Sequence, residues 1–221
     1  AVADLARRYT EKYLADLQLP DRLHAVFVRS DVAHGTISAI HIDDAVDMPG
    51  VVEILTAAEL GVAAHHGFAA VHEDFARPPL ADGTVRFVGE PIAVVLAETF
   101  EQGEDAAAAI WADIDPLPTY VDAEEALAAD ATPIFEQHGS NQALTMPDKP
   151  RTDLSSADVV VRGRYVNQRM AVVPMEPDCC AAEIGDDGRM TFWASTQMPH
   201  GLHLQLADAL GIDAADVRVV T

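Results

Sequence analysis

The sequence feature that most constrains the fold is a strand, helix, strand pattern close to the carboxyl end. Two short apolar runs, Met190–Ala194 and Val217–Val220, are typical of strands, and the segment between them repeats apolar residues at helical spacing. Pro199 suits the first position of that helix, and Gly211 stands where a left-handed C-terminal residue belongs. If the two strands are parallel neighbours, the pattern predicts a β-α-β crossover.

A neutral amide lies at the junction between the first of these strands and the helix, in the phrase FWASTQMPH. Gln197 would lie beyond the carboxyl end of the strand, which is where open α/β units bind ligands. Amide hydrogens at a helix start favour an anion or an oxo group, and a glutamine adds a donor without changing the charge. From the pattern alone, a local helix cap or a solvent-facing side chain remains the simpler explanation.

The first half of the chain mixes strand and helix signals, which predicts an α+β fold. Alternating apolar residues between positions 23 and 42 predict two strands, and a strand at 51–55 leads into a helix that Thr56 could cap. In VRFVGEPIAVVLAET, Pro91 has no amide hydrogen to give to a ladder, so it should open a strand, and Gly89 should allow the bend before it. An alanine-rich helix, a strand near 112–114 and another short helix follow.

A change in composition predicts the domain organisation. Residues 130–156 are rich in proline and small polar residues, which is typical of a linker, so we expect one domain over 1–129 and a second over 157–221. In the second domain, strands are predicted at 159–166, Cys180–Ile184 and Met190–Ala194, with a hairpin turn that ends at Asp187-Gly188. Because the last predicted strand reaches the final residues, we expect this second domain to be incomplete.

The charge balance excludes some partners. The 14 Lys and Arg residues face 36 Asp and Glu residues, which gives a formal net charge of -22. This charge repels phosphate backbones and anionic membranes, so no nucleic-acid partner is expected. The sequence contains no apolar stretch of membrane-spanning length and no signal-peptide order at its start, so we expect a cytoplasmic protein. The adjacent Cys179 and Cys180 are expected to be reduced thiols, because bridging neighbours would strain the peptide between them, and a redox or metal role is the less favoured alternative.

Other candidate groups give weaker signals. His65 and His66 are adjacent, so their side chains diverge, and no Cys or acidic residue at ligand spacing joins them. Glu90 could act as a general base only in a desolvated pocket, and a carboxylate beside a Gly-Pro bend is more often a turn residue. The sequence contains no P-loop, dinucleotide-binding glycine motif, nucleophile elbow or zinc-protease motif.

Several longer phrases resemble one known family when they are taken together. Three phrases resemble the a/b hammerhead domain of the xanthine dehydrogenase, aldehyde oxidase and carbon monoxide dehydrogenase family, which opens the large, molybdopterin-binding subunit. These phrases are RYTEKYLADLQLPDRLHAVFVRSDVAHGTISAIHIDDAVDMPGVVEILTAAEL, VRFVGEPIAVVLAET and DPLPTYVDAEEAL. The start of the molybdopterin-binding domain that follows is similar to ADVVVRGRYVNQRMAVVPMEPDCCAAEIGDDGRMTFWASTQMPHGLHLQLADALGIDAADVRVV. The resemblance implies an α+β fold in which an a/b hammerhead domain precedes the first β-rich, βαβ part of a molybdopterin-binding domain.

The resemblance also implies a site and a reaction. In the family, the glutamine of the STQ phrase lies beside the molybdenum and hydrogen-bonds an oxo ligand of the cofactor, a role that would fall on Gln197. The whole enzyme would carry molybdopterin cytosine dinucleotide, with iron-sulfur clusters and FAD on partner subunits in a dimer of heterotrimers. It would oxidise a small substrate with water as the oxygen source and pass electrons to those subunits. The resemblance leaves the substrate open among carbon monoxide, an aldehyde and an N-heterocycle. It also leaves open whether the copper ion of the carbon monoxide enzymes is present.

Three parts of the family pattern are absent from these 221 residues: the glycine-rich loop expected after VRVV, the cysteine loop of the carbon monoxide enzymes and the distal glutamate base. The resemblance therefore implies that this chain holds no complete catalytic set and no direct metal ligand. The isolated chain is expected to retain no cofactor and to be inactive. The alternative is a naturally split or non-catalytic assembly module that docks onto the rest of such a complex.

Overall fold

The computed structural model describes residues 13–17, 19–67, 71–147 and 152–221, and the contacts divide the chain into two units. One unit comprises residues 18–144, and the other joins residues 1–17 to residues 145–221. Residues 1–12 of the predicted first domain and residues 148–151 of the predicted linker lie outside the described residues. The predicted boundaries at 129 and 156 stay predictions.

Within its described residues, the unit of residues 18–144 contains two antiparallel sheets of three strands each, ordered β1-β5-β3 and β4-β2-β6. The strands are β1 (His24–Arg29), β2 (Gly35–His41), β3 (Val51–Thr56), β4 (Thr84–Val85), β5 (Pro91–Ala97) and β6 (Trp111–Pro116). The helices in the same described residues are α1 (Asp43–Val46), α2 (Ala57–Leu60), α3 (Phe100–Ala108) and α4 (Ala123–Ala126). The strands predicted from the alternating apolar residues are confirmed.

Strand β5 forms the centre of the core of this unit. It lies between β1 and β3, and Ala93, Val95 and Ala97 are fully buried. A central strand that is covered on both faces is apolar along its length rather than alternating, which explains the run IAVVLA. The strand begins at Pro91, as predicted, and Gly89 before it has a φ of 90°. Since residues with a side chain rarely adopt that φ, glycine allows the bend at this position.

Helix α3 packs against the same core through small residues. Thr99 precedes the helix, and its hydroxyl accepts a hydrogen bond from the amide of Gln102 at 3.3 Å. Gly103 and Ala106 are buried on the face that contacts the sheet. A Cβ added at Gly103 would lie 2.6 Å from Cγ2 of Val26, so the helix lies too close to β1 for a larger residue.

The second unit has a three-stranded sheet and the predicted crossover. Its strands are β7 (Cys180–Ile184), β8 (Met190–Ala194) and β9 (Val217–Val220), and helix α5 is Pro199–Leu210. β7 and β8 are antiparallel, whereas β8 and β9 are parallel, so the predicted β-α-β unit is confirmed. Met190, Ala207 and Val217 form its buried cluster. Gly188 in the predicted hairpin turn has a φ of 79°, and Gly211 ends α5 in the left-handed conformation.

Replacing each of the two helical glycines, Gly103 and Gly201, by alanine should have different effects on the free energy of unfolding. Gly103→Ala should lower the free energy of unfolding by about 1–3 kcal/mol, because Val26 cannot move without disturbing the core. Gly201→Ala in α5 should leave the free energy of unfolding unchanged or raise it by up to about 1 kcal/mol. The closest atom to the added Cβ would be the flexible end of Met198, at 3.2 Å. Urea unfolding of single-tryptophan variants, followed at Trp111 or Trp193, measures the two units separately. Equal effects of the two substitutions would contradict this packing.

One predicted strand is wrong. Residues 159–166 are rich in valine, but they belong to no strand, and the described residues 152–179 form no ladder. Val161 and Tyr165 are 87% and 92% exposed. Valine and tyrosine favour the strand conformation, but a strand is stable only when another strand pairs with its backbone. No such partner lies beside this segment in the described part of the chain.

Four single 3-10 turns complete the described elements: Leu14–Asp16, Glu73–Phe75, Glu136–His138 and Ala214–Asp216. None of the helices in the described ranges is both long enough and apolar enough to pass through a membrane.

Candidate functional site

Gln197 lies in the connection between β8 and α5. β8 ends at Ala194 and α5 begins at Pro199, and β9 returns parallel to β8. Gln197 is therefore beyond the carboxyl end of β8 and two residues before the helix, where the sequence predicts it. Its side chain is exposed.

Hydrogen bonds hold the connection on both sides of Gln197. The hydroxyl of Ser195 accepts a hydrogen bond from the amide of Cys179 at 2.8 Å, and the Ser195 amide donates to the Cys179 carbonyl at 3.1 Å. On the other side, Thr196 Oγ1 accepts from the Met198 amide at 3.1 Å. The backbone is thus fixed before and after the glutamine, which limits the directions in which its side chain can point.

The structure separates the explanations of Gln197 that the sequence leaves open. Met198 occupies the N-cap position of α5, and no side chain caps this helix, so Gln197 is not a helix cap. Within the described ranges, no residue forms a hydrogen bond with the Gln197 amide. The remaining roles are a solvent-facing side chain and a donor to a ligand outside this chain.

Glu90 is the most buried ionisable side chain of the first unit. It is 1% exposed, and its Oε2 accepts a hydrogen bond from the Arg86 amide at 2.5 Å. Its Oε1 accepts from Nη1 of Arg77 at 3.2 Å and lies 3.9 Å from Nη1 of Arg86. Both oxygens are thereby engaged, which fits the turn carboxylate that the sequence favours for Glu90 over a general base.

The two arginines around Glu90 pack on aromatic rings. The Arg77 guanidinium lies 5.0 Å from the centre of the Phe87 ring, and that of Arg86 lies 4.9 Å from the Phe135 ring. Burial lowers the pKa of Arg86, the Glu90 carboxylate opposes this shift, and the charge of Arg77 adds to it. An arginine nevertheless stays protonated in proteins, so Arg77 and Arg86 both keep a positive charge beside Glu90.

The other sequence candidates do not converge on a site. His65 pairs through its backbone with Arg77, and the adjacent His66 joins no group of metal-ligating side chains in the described ranges. His34 is buried, and its Nδ1 donates to the Pro118 carbonyl at 2.8 Å. Cys179 and Cys180 are both free thiols.

Sequence reasoning missed a cluster of His72, Asp74 and His138, whose potential ligand atoms lie within 4.8 Å of one another. The local signal was the His-x-Asp spacing at 72–74. The third member is 64 residues away in sequence from Asp74, so only the fold reveals it.

Comparisons with known proteins support the arrangement of domains along the chain. Residues 10–118 match the a/b hammerhead domain of aldehyde oxidase and xanthine dehydrogenase, and residues 134–221 match the molybdopterin cofactor-binding domain. The two matches follow each other in the order that the sequence phrases predict.

Relatives with known roles are similar over almost the whole chain. The nicotine 6-hydroxylase large subunit of Paenarthrobacter nicotinovorans is 32% identical over 95% of this chain and 27% of its own length. The carbon monoxide dehydrogenase large chain of Hydrogenophaga pseudoflava is also 32% identical, over 95% of this chain and 28% of its own. The solved aldehyde oxidoreductase of Desulfovibrio gigas superposes with a TM-score of 0.78 at 27% identity, over 96% of this chain and 24% of that one.

The fold and these matches show that, in this chain, a hammerhead domain is followed by a molybdopterin cofactor-binding domain. The chain belongs to the xanthine dehydrogenase, aldehyde oxidase and carbon monoxide dehydrogenase family and corresponds to the N-terminal part of its large subunit. It spans between about a quarter and three tenths of the length of these relatives.

Proposed function

We propose that this chain forms part of the large subunit of a molybdenum hydroxylase, which oxidises a small substrate with water as the oxygen source. The observation that carries the proposal is the position of Gln197, an exposed amide at the start of a crossover helix in a molybdopterin-binding domain. In this assignment the hammerhead domain covers residues 1–129, a linker covers 130–156, and the molybdopterin-binding domain begins at 157.

The residues at this junction fit a molybdenum cofactor. The Gln197 side chain does not serve as a cap for α5, so its NH2 group can donate to an oxo oxygen. Because the amide is neutral, it stabilises a developing negative charge without adding a fixed charge to the site. When bound, the cofactor supplies the two-electron oxidation, and this chain supplies the oriented donor.

The same assignment names the cofactor and the partners. The cofactor is molybdopterin cytosine dinucleotide, with iron-sulfur clusters and FAD on separate subunits. An iron-sulfur cluster takes four cysteine ligands, whereas this chain offers only the adjacent Cys179 and Cys180. The whole assembly is a cytoplasmic dimer of heterotrimers.

An exposed apolar segment supports a further contact with the remainder of the large subunit. Between residues 159 and 175 the large apolar side chains are mostly open to solvent, which is rare for a contiguous surface of a soluble monomer. The most exposed are Val159, Val161, Tyr165, Met170, Val172, Val173 and Met175. Since the relatives are more than three times as long as this chain, the rest of such a subunit is the partner that would cover these residues.

Molybdenum content tests the proposal. The isolated chain should retain no stoichiometric molybdenum, because one neighbouring amide cannot hold the cofactor, whereas the large subunit purified with its partner subunits should contain it. Elemental analysis of both samples measures this difference. Stoichiometric molybdenum on the isolated chain would contradict the expectation.

Turnover identifies the substrate class. The assembled complex should reduce an electron-accepting dye when it is given carbon monoxide, an aldehyde or an N-heterocycle. A complex that contains no molybdenum and oxidises none of the three would overturn the proposal and indicate a non-catalytic assembly module.

A further inference from the structure

A cluster of two histidines and one carboxylate lies outside the proposed molybdenum site, within the unit of residues 18–144. His72 precedes the 3-10 turn Glu73–Phe75, which carries Asp74, and His138 ends the 3-10 turn Glu136–His138. Nδ1 of His72 lies 3.0 Å from Asp74 Oδ2, and Nδ1 of His138 lies 3.1 Å from the same oxygen. Two imidazole nitrogens thus converge on one carboxylate oxygen.

The second ring nitrogen of His138 has a hydrogen-bond partner of its own. Its Nε2 lies 3.2 Å from the backbone carbonyl of Gln142, and a carbonyl only accepts, so Nε2 carries a hydrogen. In a neutral imidazole, Nδ1 then bears the lone pair that faces Asp74. Histidine ligands of metals usually have this arrangement, in which one nitrogen binds the ion and the other donates to a backbone carbonyl.

His72 has conflicting neighbours at Nδ1. The Asp74 amide donates to this nitrogen at 3.3 Å, which requires a lone pair, while Asp74 Oδ2 at 3.0 Å would require a hydrogen. A neutral ring cannot satisfy both. A cation between His72, Asp74 and His138 relieves the contact between Nδ1 and Oδ2, because both atoms then direct a lone pair at the ion, and the His72 lone pair binds the ion in place of the Asp74 amide.

The two 3-10 turns are held together independently of the three ligands. Nε2 of Gln137 donates to the Asp74 carbonyl at 2.7 Å, and the rings of Phe75 and Phe135 pack with centroids 4.9 Å apart. The Phe75 ring also lies against His138, at 4.5 Å. This packing positions the ligand atoms before an ion binds, so binding costs little ordering.

We propose that His72, Asp74 and His138 form a binding site for a divalent transition-metal ion of the zinc class. Two imidazoles and one carboxylate are a donor set that zinc prefers, with water as the fourth ligand. Donor atoms around a tetrahedral zinc lie about 3.3 Å apart, given bond lengths near 2.0 Å. The Nδ1 to Oδ2 distances of 3.0 and 3.1 Å match this spacing, and His72, whose side chain is 48% exposed, gives the ion access.

The ion would join two distant segments of the chain. Asp74 and His138 are 64 residues apart, so a metal that binds both stabilises the folded unit by its own binding free energy. The stabilising effect of the ion is independent of the proposed molybdenum chemistry.

Zinc titration of the purified chain, prepared without a histidine tag and stripped with a chelator, tests the proposal. The wild type should bind one Zn²⁺, and His138→Ala and Asp74→Asn should each weaken binding by on the order of 100-fold or more. His41→Ala is the matched control. His41 makes a histidine-aspartate pair with Asp113 at 3.0 Å, but this pair belongs to no cluster of three ligands in the described ranges, so its loss should leave zinc affinity unchanged.

A second measurement on the wild type does not depend on how the variants fold. Nitrogen NMR of the histidine rings should show zinc-dependent shifts at Nδ1 of His72 and His138, with Nε2 of His138 still protonated. Mg²⁺ should produce no shift, since it prefers oxygen ligands. The proposal is overturned if the wild type binds no zinc, if His138→Ala folds and binds it equally well, or if the shifts appear at other histidines.

Discussion

Replacing Glu90 by alanine should lower the free energy of unfolding of residues 18–144 by about 3–5 kcal/mol, the usual effect of removing one partner of a buried ion pair. The carboxylate is 1% exposed and accepts hydrogen bonds from the Arg86 amide and the Arg77 guanidinium. Its removal leaves the largely buried Arg86 charge without compensation, and Nε of Arg86 already has no acceptor in the described part of the chain. Urea unfolding followed by Trp111 fluorescence, in a chain in which Trp193 is replaced by phenylalanine, measures the loss.

Glu98→Ala is the control for this experiment. Glu98 directly follows β5, as Glu90 directly precedes it, and the substitution changes the net charge by the same amount, but Glu98 is exposed. Its replacement should change the free energy of unfolding by no more than about 0.5 kcal/mol. A Glu90→Ala loss as small as that of Glu98→Ala would mean that water or an anion replaces the carboxylate, and that the ion cluster does not hold the turn.

Replacing Gln197 by alanine in the assembled complex should lower turnover per molybdenum by about 100-fold, the lower end of what loss of one preorganised donor costs. This expectation rests on the proposed function. Stability should change by no more than about 0.5 kcal/mol, because the Gln197 side chain is exposed and makes no hydrogen bond to the described residues. Steady-state kinetics, normalised to the molybdenum content of each preparation, separates a loss of chemistry from a loss of cofactor.

Gln205→Ala is the matched control, since Gln205 is an exposed glutamine within the adjacent helix α5. It should leave turnover unchanged. If Gln197→Ala also has unchanged turnover at full molybdenum content, Gln197 is a solvent-facing residue, and the site proposed for it is wrong.

The elements around Gln197 could be predicted because their signals are local. Pro199 fits the first turn of a helix, Gly211 fits a left-handed end, and the Asp187-Gly188 pair fits a hairpin turn. Each of these preferences follows from the backbone freedom of one or two residues. The structure has all three features where the sequence predicts them, together with the parallel pairing of β8 and β9.

The strand predicted at 159–166 failed for the opposite reason. Its content of valine and tyrosine is a local signal, but strand formation depends on a second segment that supplies the ladder hydrogen bonds. In the described residues of this chain, no segment does so. The large apolar side chains of this segment therefore stay mostly exposed in the described chain.

The sequence by itself determined most of the succession of strands and helices, the position of Gln197 at a strand-helix junction and the resemblance to the molybdopterin-binding family. Only the tertiary structure decided that Glu90 is enclosed by two arginines and that His72 and Asp74 meet His138. The physical reason is that turn and cap preferences depend on neighbouring residues, whereas burial and ligand geometry depend on segments that come together only when the chain folds.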